Sequence, residues 1–193
     1  SDFKVTPIQM ITAFCAAVNG GYLMEPYIVS KVLDSEGNII ESKQPTVRRQ
    51  VISEETSAEL CKMLESVVSI SGGRNAYIPG YRVGGKTGTS QKQDKYAEDG
   101  TRPYRIASFC GVAPADDPQI AMLVLLDEPH GDNVNGGAIA APVLREVFED
   151  ALPHLGIQPV YSESELENAD TSAPALVGLT ASQAQNQAYP VRL

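Results

Sequence analysis

Chemistry is concentrated at Lys86-Thr87-Gly88-Thr89-Ser90, an ammonium followed by three hydroxyls and a glycine. Such a run can hold an anion, because a lysine supplies charge, hydroxyls supply donors, and glycine leaves the backbone approachable. From Arg82 to Arg105, six basic residues (Arg82, Lys86, Lys92, Lys95, Arg102, Arg105) outnumber three acidic ones (Asp94, Glu98, Asp99) in a chain of formal charge −9. A cationic island on an acidic chain fits a small anionic ligand; a solvated charged loop is the plain alternative. The overall acidity repels phosphate backbones at long range and argues against a nucleic-acid partner. Cys15, Cys61 and Cys110 are far apart, form no CxxC, and accompany only two histidines. They are expected to be buried thiols, and nothing in the sequence requires a metal or a cofactor.

Two chemistries compete for Lys86. Gly80-Tyr81-Arg82-Val83-Gly84-Gly85-Lys86-Thr87 satisfies the phosphate-loop string G-x-x-x-x-G-K-[ST], and Ile120 to Leu126 ends in Asp127-Glu128 like a magnesium-holding strand. A phosphate loop needs a strand before its first glycine and a helix after its lysine, since the phosphate sits on that helix's N-terminus. Ser71-Gly72-Gly73-Arg74-Asn75 precedes Gly80, and no apolar residue from Thr87 to Lys95 could anchor a helix. Lys86 therefore belongs on a strand.

The elements that must position it are set by periodicity. Thr6-Pro7-Ile8-Gln9 is a capping box with proline at the first helical position, opening a helix over 7–19 that Asn19-Gly20-Gly21 stops. Tyr27 to Leu33 and Asn38 to Ser42 read as strands about the turn Asp34-Ser35-Glu36-Gly37, with Val47 to Ile52 as a further extended piece. Ser53 caps a second helix, striped by Leu60, Met63, Leu64, Val67 and Val68. Residues 81–91, 105–113 and 119–126 read as strands, the last two an antiparallel hairpin across Pro114-Ala115-Asp116-Asp117-Pro118. The strand at 119–126, apolar throughout from Ile120 to Leu126, is expected to be buried on both faces. The polar link 92–104 reads as a surface loop. After Gly136-Gly137 a third helix carries Leu144, Val147, Phe148 and Leu152, with Pro142 in its first turns. The apolar run of seven residues at 120–126 is far shorter than the roughly 18 that a membrane span requires.

As a strand, Lys86-Thr87-Gly88 resembles the Lys-Thr-Gly element of penicillin-recognising serine acyltransferases. Val5-Thr6-Pro7-Ile8-Gln9, Asn19-Gly20-Gly21 and Pro26-Tyr27 resemble the segment of class B penicillin-binding proteins that leads up to it. Ser108-Phe109 to Gly111, Ala113-Pro114, Gly136-Gly137 and Ala141-Pro142-Val143 come next in that family's order. The resemblance implies an α/β (α+β) fold, the C-terminal part of the penicillin-binding transpeptidase and serine β-lactamase-like architecture, with an antiparallel sheet packed against helices. It implies residues 1–157 as that part of the domain and 158–172 as an acidic linker. Ala173-Pro174-Ala175-Leu176-Val177-Gly178-Leu179-Thr180 resembles the opening of a PASTA module, truncated at 193.

The activity so implied is peptidoglycan D,D-transpeptidation in cell division or sporulation, by serine acyl transfer, with stem peptides and β-lactams as ligands. The parent would be membrane-anchored, working on the extracytoplasmic face of the bacterial membrane. By resemblance Lys86 supplies charge near nucleophile and substrate carboxylate, Thr87 hydrogen-bonds that carboxylate, and Gly88 admits ligand to the backbone. Thr89 contributes an oxyanion-hole N–H, and its hydroxyl also reaches the carboxylate. The family's Ser-x-x-Lys and Ser-x-Asn motifs lie upstream of Lys-Thr-Gly. Here Ser-x-Asn is absent, and Ser1-Asp2-Phe3-Lys4 sits at the extreme terminus, outside any helix that could aim it. This chain is therefore expected not to be acylated by itself. Without the family's two N-terminal strands, 119–126 becomes a raw edge expected to pair with a second molecule as a dimer. The alternatives are a non-catalytic peptidoglycan-binding or scaffold module, and a fragment of a related β-lactamase or β-lactam sensor. His130 falls in a loop that borders the site in related folds, or is simply solvated; His154 is structural, at a helix end.

Overall fold

In the computed structural model, which describes residues 4–96 and 103–168, local signals at chain turns set the first elements. Helix α1 covers Pro7–Val18. Thr6 Oγ1 accepts the Gln9 N–H (3.3 Å) while Gln9 Oε1 accepts the Thr6 N–H (2.9 Å), the reciprocal box expected. Gly21, at φ +89°, turns the chain so tightly that a Cβ there would lie 2.0 Å from Ile52 O. Strand β1 (Tyr22–Met24) comes next, and pairs antiparallel with β4 (Val47–Gln50). Between them β2 (Lys31–Leu33) and β3 (Ile39–Ser42) form a hairpin whose turn is held by Asp34, which accepts the N–H groups of Glu36 (2.9 Å) and Asn38 (2.8 Å). The strand expected from Tyr27 is shorter: residues 27–30 are exposed and lie outside β2, with only Ser30 O bonded across the hairpin, to the Lys43 N–H (2.8 Å).

Helix α2 (Glu54–Ile70) starts at Ser53, whose Oγ accepts the Thr56 N–H at 3.2 Å. It is tied to α1 by a buried hydroxyl. Ser57 Oγ donates to Ala17 O (2.8 Å) and accepts the Gly20 N–H (3.0 Å), satisfying the end of one helix from the flank of another. A 3-10 turn at Arg74–Ala76 leads into the central sheet.

That sheet is antiparallel, in the order β5 (Gly84–Tyr96), β6 (Pro103–Ala113), β7 (Ile120–Asp127). Alternation along β6 divides two cores. Phe109 and Ala113 pack with Val124 against Leu144, Phe148 and Leu152 of α4 (Ala141–His154), all six buried. Val112 meets Val18, Cys61, Phe14 and Leu64 on the α1–α2 face. Each fully buried Leu or Phe contributes roughly 1.5–3 kcal/mol. The third helix is broken into α3 (Gly136–Ile139) and α4 at Ala140, with Pro142 in the first turn of α4.

Two expectations are corrected. The strand placed at 119–126 is not buried on both faces: in β7 only Val124 is buried, and Leu125 is 41% exposed. The cause is its position, since β7 is an edge strand paired on one side only, among the described residues. The link 92–104 is not all loop, because β5 continues to Tyr96 and β6 begins at Pro103. Polar side chains suit a two-stranded arm, and Lys92 is held in it by Asp127 (2.7 Å) and Glu128 (2.6 Å). The described part of the acidic stretch expected as a linker makes contacts of its own with the loop before β5. Val160 N–H donates to Gly80 O (2.7 Å), and helix α5 spans Glu163–Asn168. Ser1 and the PASTA-like residues 173–193 lie outside the described residues.

Candidate active site

Lys86, Thr87, Gly88 and Thr89 stand on β5, opposite Cys110, Phe109, Ser108 and Ala107 of β6. Lys86 lies within β5, which runs on to Tyr96 with no helix directly after the lysine, and this disposes of the phosphate-loop reading. The outer edge of β5 meets no other strand among the described residues, so its main-chain groups face outward. Along a strand these groups alternate in direction, so Thr87 and Thr89 aim theirs the same way.

Side chains alternate too. Thr87 and Thr89 share a face with Gly85, where a Cβ would strike the Phe109 ring at 2.4 Å. Lys86 and Gly88 point to the α1–α2 face, with Gly84 against Leu64. The Lys86 ammonium is exposed and donates to Thr87 O (2.8 Å), without an ion pair among the described residues. Two other members of the cationic island, Arg82 and Lys92, are already neutralised. Glu65 and Asp116 both grip the Arg82 guanidinium (2.6 and 2.7 Å), and their hydrogen bonds, Glu65 foremost, raise its pKa. Lys92 is bonded by Asp127 and Glu128, which raise its pKa likewise.

Beyond the β5 edge on the threonine side lies a cleft of about 410 Å³, lined by Gly72, Asn75, Thr87, Thr89, Asn135 and Gly137. Its far wall is pinned to the strand. Gly136 N–H donates to Thr89 Oγ1 (3.1 Å), and Asn75 Nδ2 donates to Gly137 O (2.8 Å). The glycines at 136 and 137 are required by contact: Cβ atoms there would lie 2.1 Å from Ser108 O and 2.4 Å from Gly72 O. Having accepted one bond, the Thr89 hydroxyl keeps its proton for an incoming acceptor. Gly88 has an internal neighbour as well, Ser108 Oγ, which a Cβ would approach to 2.4 Å.

The structure thus brings the four strand residues together with Gly136-Gly137. Asn75 and Asn135 join the site without any sequence signal, because polar residues in turns leave no periodic pattern. His130 is exposed in its loop and meets the Tyr104 ring edge-on at 6.4 Å. His154 lies exposed in the last turn of α4. Among the described residues no group of His, Cys, Asp or Glu is arranged to hold a metal, and no helix is long and apolar enough to cross a membrane. Of the three cysteines expected to be buried, only Cys61 is so, Cys15 and Cys110 being half-buried; burial raises all three thiol pKa values, that of Cys110 to about 11.

An open-edged antiparallel sheet between helices, with Lys-Thr-Gly on that edge, is the arrangement of a family: the chain belongs to the penicillin-binding protein transpeptidase domain, whose model matches residues 1–149. Among curated proteins it is similar to stage V sporulation protein D of Bacillus subtilis, 42% identical over 191 residues, covering 95% of this chain and 29% of that one. It is 35% identical over 192 residues to a probable peptidoglycan D,D-transpeptidase FtsI of Caulobacter vibrioides, covering 91% and 30%. Of solved structures, the transpeptidase domain of penicillin-binding protein 3 from Burkholderia pseudomallei matches with TM-score 0.64 at 37% identity, covering 80% of this chain and 44% of that one. A ceftriaxone acyl-enzyme complex of penicillin-binding protein A from M. tuberculosis matches with TM-score 0.69 at 27% identity, covering 79% and 33%. The chain spans about 30% of the length of these curated relatives.

Proposed function

We propose that the chain is the C-terminal part of a peptidoglycan D,D-transpeptidase domain, and that Lys86 to Thr89 form the part of its active site that holds the peptide. The observation that carries this is the outward-facing β5 edge beside a cleft pinned by Thr89. An extended peptide can add to that edge as a further strand, its main chain bonded to β5. Its terminal carboxylate then meets the hydroxyls of Thr87 and Thr89 on the cleft side. Lys86 projects to the opposite face, so the serine nucleophile approaches from the α1–α2 side, supplied by sequence outside these 193 residues. The serine oxygen attacks the penultimate carbonyl and an acyl ester forms. The terminal residue leaves with the proton, and a second peptide's amine resolves the ester. The Thr89 N–H serves the oxyanion in this reading, a donor of a kind worth about 3–4 kcal/mol to a transition state. β-Lactams enter the same reaction as acylating agents.

In this reading the parent is anchored at the membrane and its catalytic domain is extracytoplasmic, serving sporulation or division as in the named relatives. Residues 173–193 begin a PASTA module. The bare edge of β7 pairs with that of a second molecule when nothing else covers it. The test joins the native upstream sequence to this chain and measures acylation by a fluorescent penicillin. Acylation should appear in the joined protein, fall at least 100-fold in Lys86→Ala, and be absent from the 193-residue chain. A stable adduct on Ser1 of the isolated chain would sink the proposal, and rapid deacylation would reassign the parent to the β-lactamases.

A further inference from the structure

Glu165 lies beyond the residues that the transpeptidase family model matches, yet it is bonded to the loop that enters the candidate site. Its two oxygens face different ways. Oε2 accepts the N–H (2.7 Å) and hydroxyl (2.8 Å) of Ser162, and Ser162 Oγ accepts the Glu165 N–H (3.3 Å). That is a capping box, built by Ser162-Glu163-Ser164-Glu165. Oε1 reaches across to accept the Tyr77 hydroxyl (2.5 Å) and the Gly80 N–H (2.9 Å). Close by, Val160 N–H donates to Gly80 O (2.7 Å) and Tyr81 OH donates to Ile157 O (3.3 Å). Both main-chain polar groups of Gly80 are therefore taken by the downstream strap. Gly80 sits at φ +76°, where a Cβ would lie 2.7 Å from Pro159 and 2.9 Å from Tyr161, so only glycine permits this seat.

The clasped loop is short and has the site at both ends. Asn75, whose side chain bonds Gly137 O across the cleft wall, lies two residues before Tyr77. Strand β5 begins at Gly84, two residues before Lys86. Ile78 and Val83 anchor the loop in the core, and Arg82 is anchored by its carboxylates. Glu165 is the side-chain anchor contributed from outside the matched domain, beside the main-chain bonds of Ile157 and Val160.

We propose that Glu165 is a positioning residue for the active site: one carboxylate oxygen closes the cap of α5 while the other grips Tyr77 and Gly80, coupling downstream chain to the cleft wall and to the Lys86 strand. This rests on the transpeptidase reading above. The chain beyond residue 168 is thereby connected to catalysis through a few hydrogen bonds rather than through a free tether. Tension or binding in the downstream module reaches Asn75 and Lys86 by the same route.

Glu165→Gln separates the two roles. Glutamine has one acceptor oxygen, so satisfying Ser162 turns its NH2 toward the loop; Tyr77 can rotate to accept, but the Gly80 N–H cannot. Ser162→Ala removes the cap and leaves Oε1 in place. In the complete protein that carries this chain, amide exchange at Gly80 and at 84–89 is expected to quicken at least tenfold in Glu165→Gln. The rate constant of acylation by a bound penicillin should fall about tenfold with its dissociation constant within twofold. Ser162→Ala should show less than half of either effect on a logarithmic scale. Unchanged acylation in a folded Glu165→Gln protein overturns the inference, as does equal loss in Ser162→Ala. A wild-type protein that never acylates refutes the transpeptidase reading instead; exchange at 84–89 then decides the coupling, and unchanged protection there overturns it.

Discussion

Alanine at Gly136 challenges the geometry of the cleft most directly. Its Cβ would lie 2.1 Å from Ser108 O and 2.4 Å from Gly88 O, both main-chain atoms of the sheet that cannot rotate aside. Restoring an ordinary separation of about 3.5 Å requires the start of α3 to retreat by roughly 1.4 Å. That stretches the Gly136 N–H bond to Thr89 Oγ1 from 3.1 Å to beyond hydrogen-bonding range. Overpacking costs about 1–3 kcal/mol, and the lost bond about 0.5–1.5 kcal/mol more. A total of about 2–4 kcal/mol should appear as a lower urea midpoint at unchanged slope. Thr89→Val isolates the hydrogen bond and should cost only about 1 kcal/mol. Gly72→Ala is the control, since a Cβ there meets nothing within 4 Å. In the complete protein, misplacing the cleft wall by about 1.4 Å should slow penicillin acylation about 100-fold. A Gly136→Ala midpoint no lower than that of Thr89→Val would refute the reasoning, because the close approach would then carry no energy.

Ser57→Ala should destabilise by about 2–4 kcal/mol in the same urea assay, because it strands the Ala17 carbonyl and the Gly20 N–H; a loss under about 0.5 kcal/mol would count against the tie between α1 and α2. For the strap, burial alone would raise Glu165, but hydrogen bonds from Ser162, Tyr77 and Gly80 outweigh it and hold the carboxyl at about 2, below its ordinary 4.5. Its contribution is present above pH 4.5 and lost as pH falls toward 2, so Glu165→Ala should flatten stability against pH in that window; an unchanged acid slope would refute the clasp. Burial first, and Glu165 second, push Tyr77 up to about 12, so its contribution is whole below pH 10 and lost as pH rises through 12, readable as a late tyrosinate absorbance that moves earlier in Glu165→Ala. Light scattering of the 193-residue chain should show association that Leu125→Lys suppresses, and a strictly monomeric chain at high concentration would remove β7 as a pairing edge.

The features legible in the sequence are those that depend on neighbours within one helical turn or one strand period. Thr6 and Gln9 announce α1, Ser53 announces α2, and the change of period after Tyr81 announces the sheet. The strand residues of the site come with their spacing. The features that escape depend on partners far along the chain. β7 looks doubly buried because its own apolar content cannot report that it has one neighbour strand. The Lys92 arm looks like loop because its partners, Asp127 and Glu128, are 35 residues and more away. Ser57 carries no mark of burial, although its two bonds cross to residues 17 and 20. Ser162-x-x-Glu165 has the form of a cap, yet its acidic, Ser-rich setting reads as linker. Its second function needs Tyr77 and Gly80 brought to it by the fold.

Among the described residues the sheet has two open edges, and they differ in what they present to a partner. Over residues 84–89, β5 presents glycines at 84, 85 and 88, a lysine and two threonines, and its cleft-side wall is set by backbone contacts of Gly136 and Gly137. A peptide arriving there finds charge and donors already oriented, and the exposed lysine discourages indiscriminate strand pairing. β7 presents Ile120 to Leu126 without a charge until Asp127, so any extended apolar segment suits it equally. Specific recognition at an edge therefore depends on what breaks the monotony of the strand. On β5 those interruptions are the residues proposed to bind the peptide, which makes the protection against wrong partners and the means of binding the right one the same set of side chains.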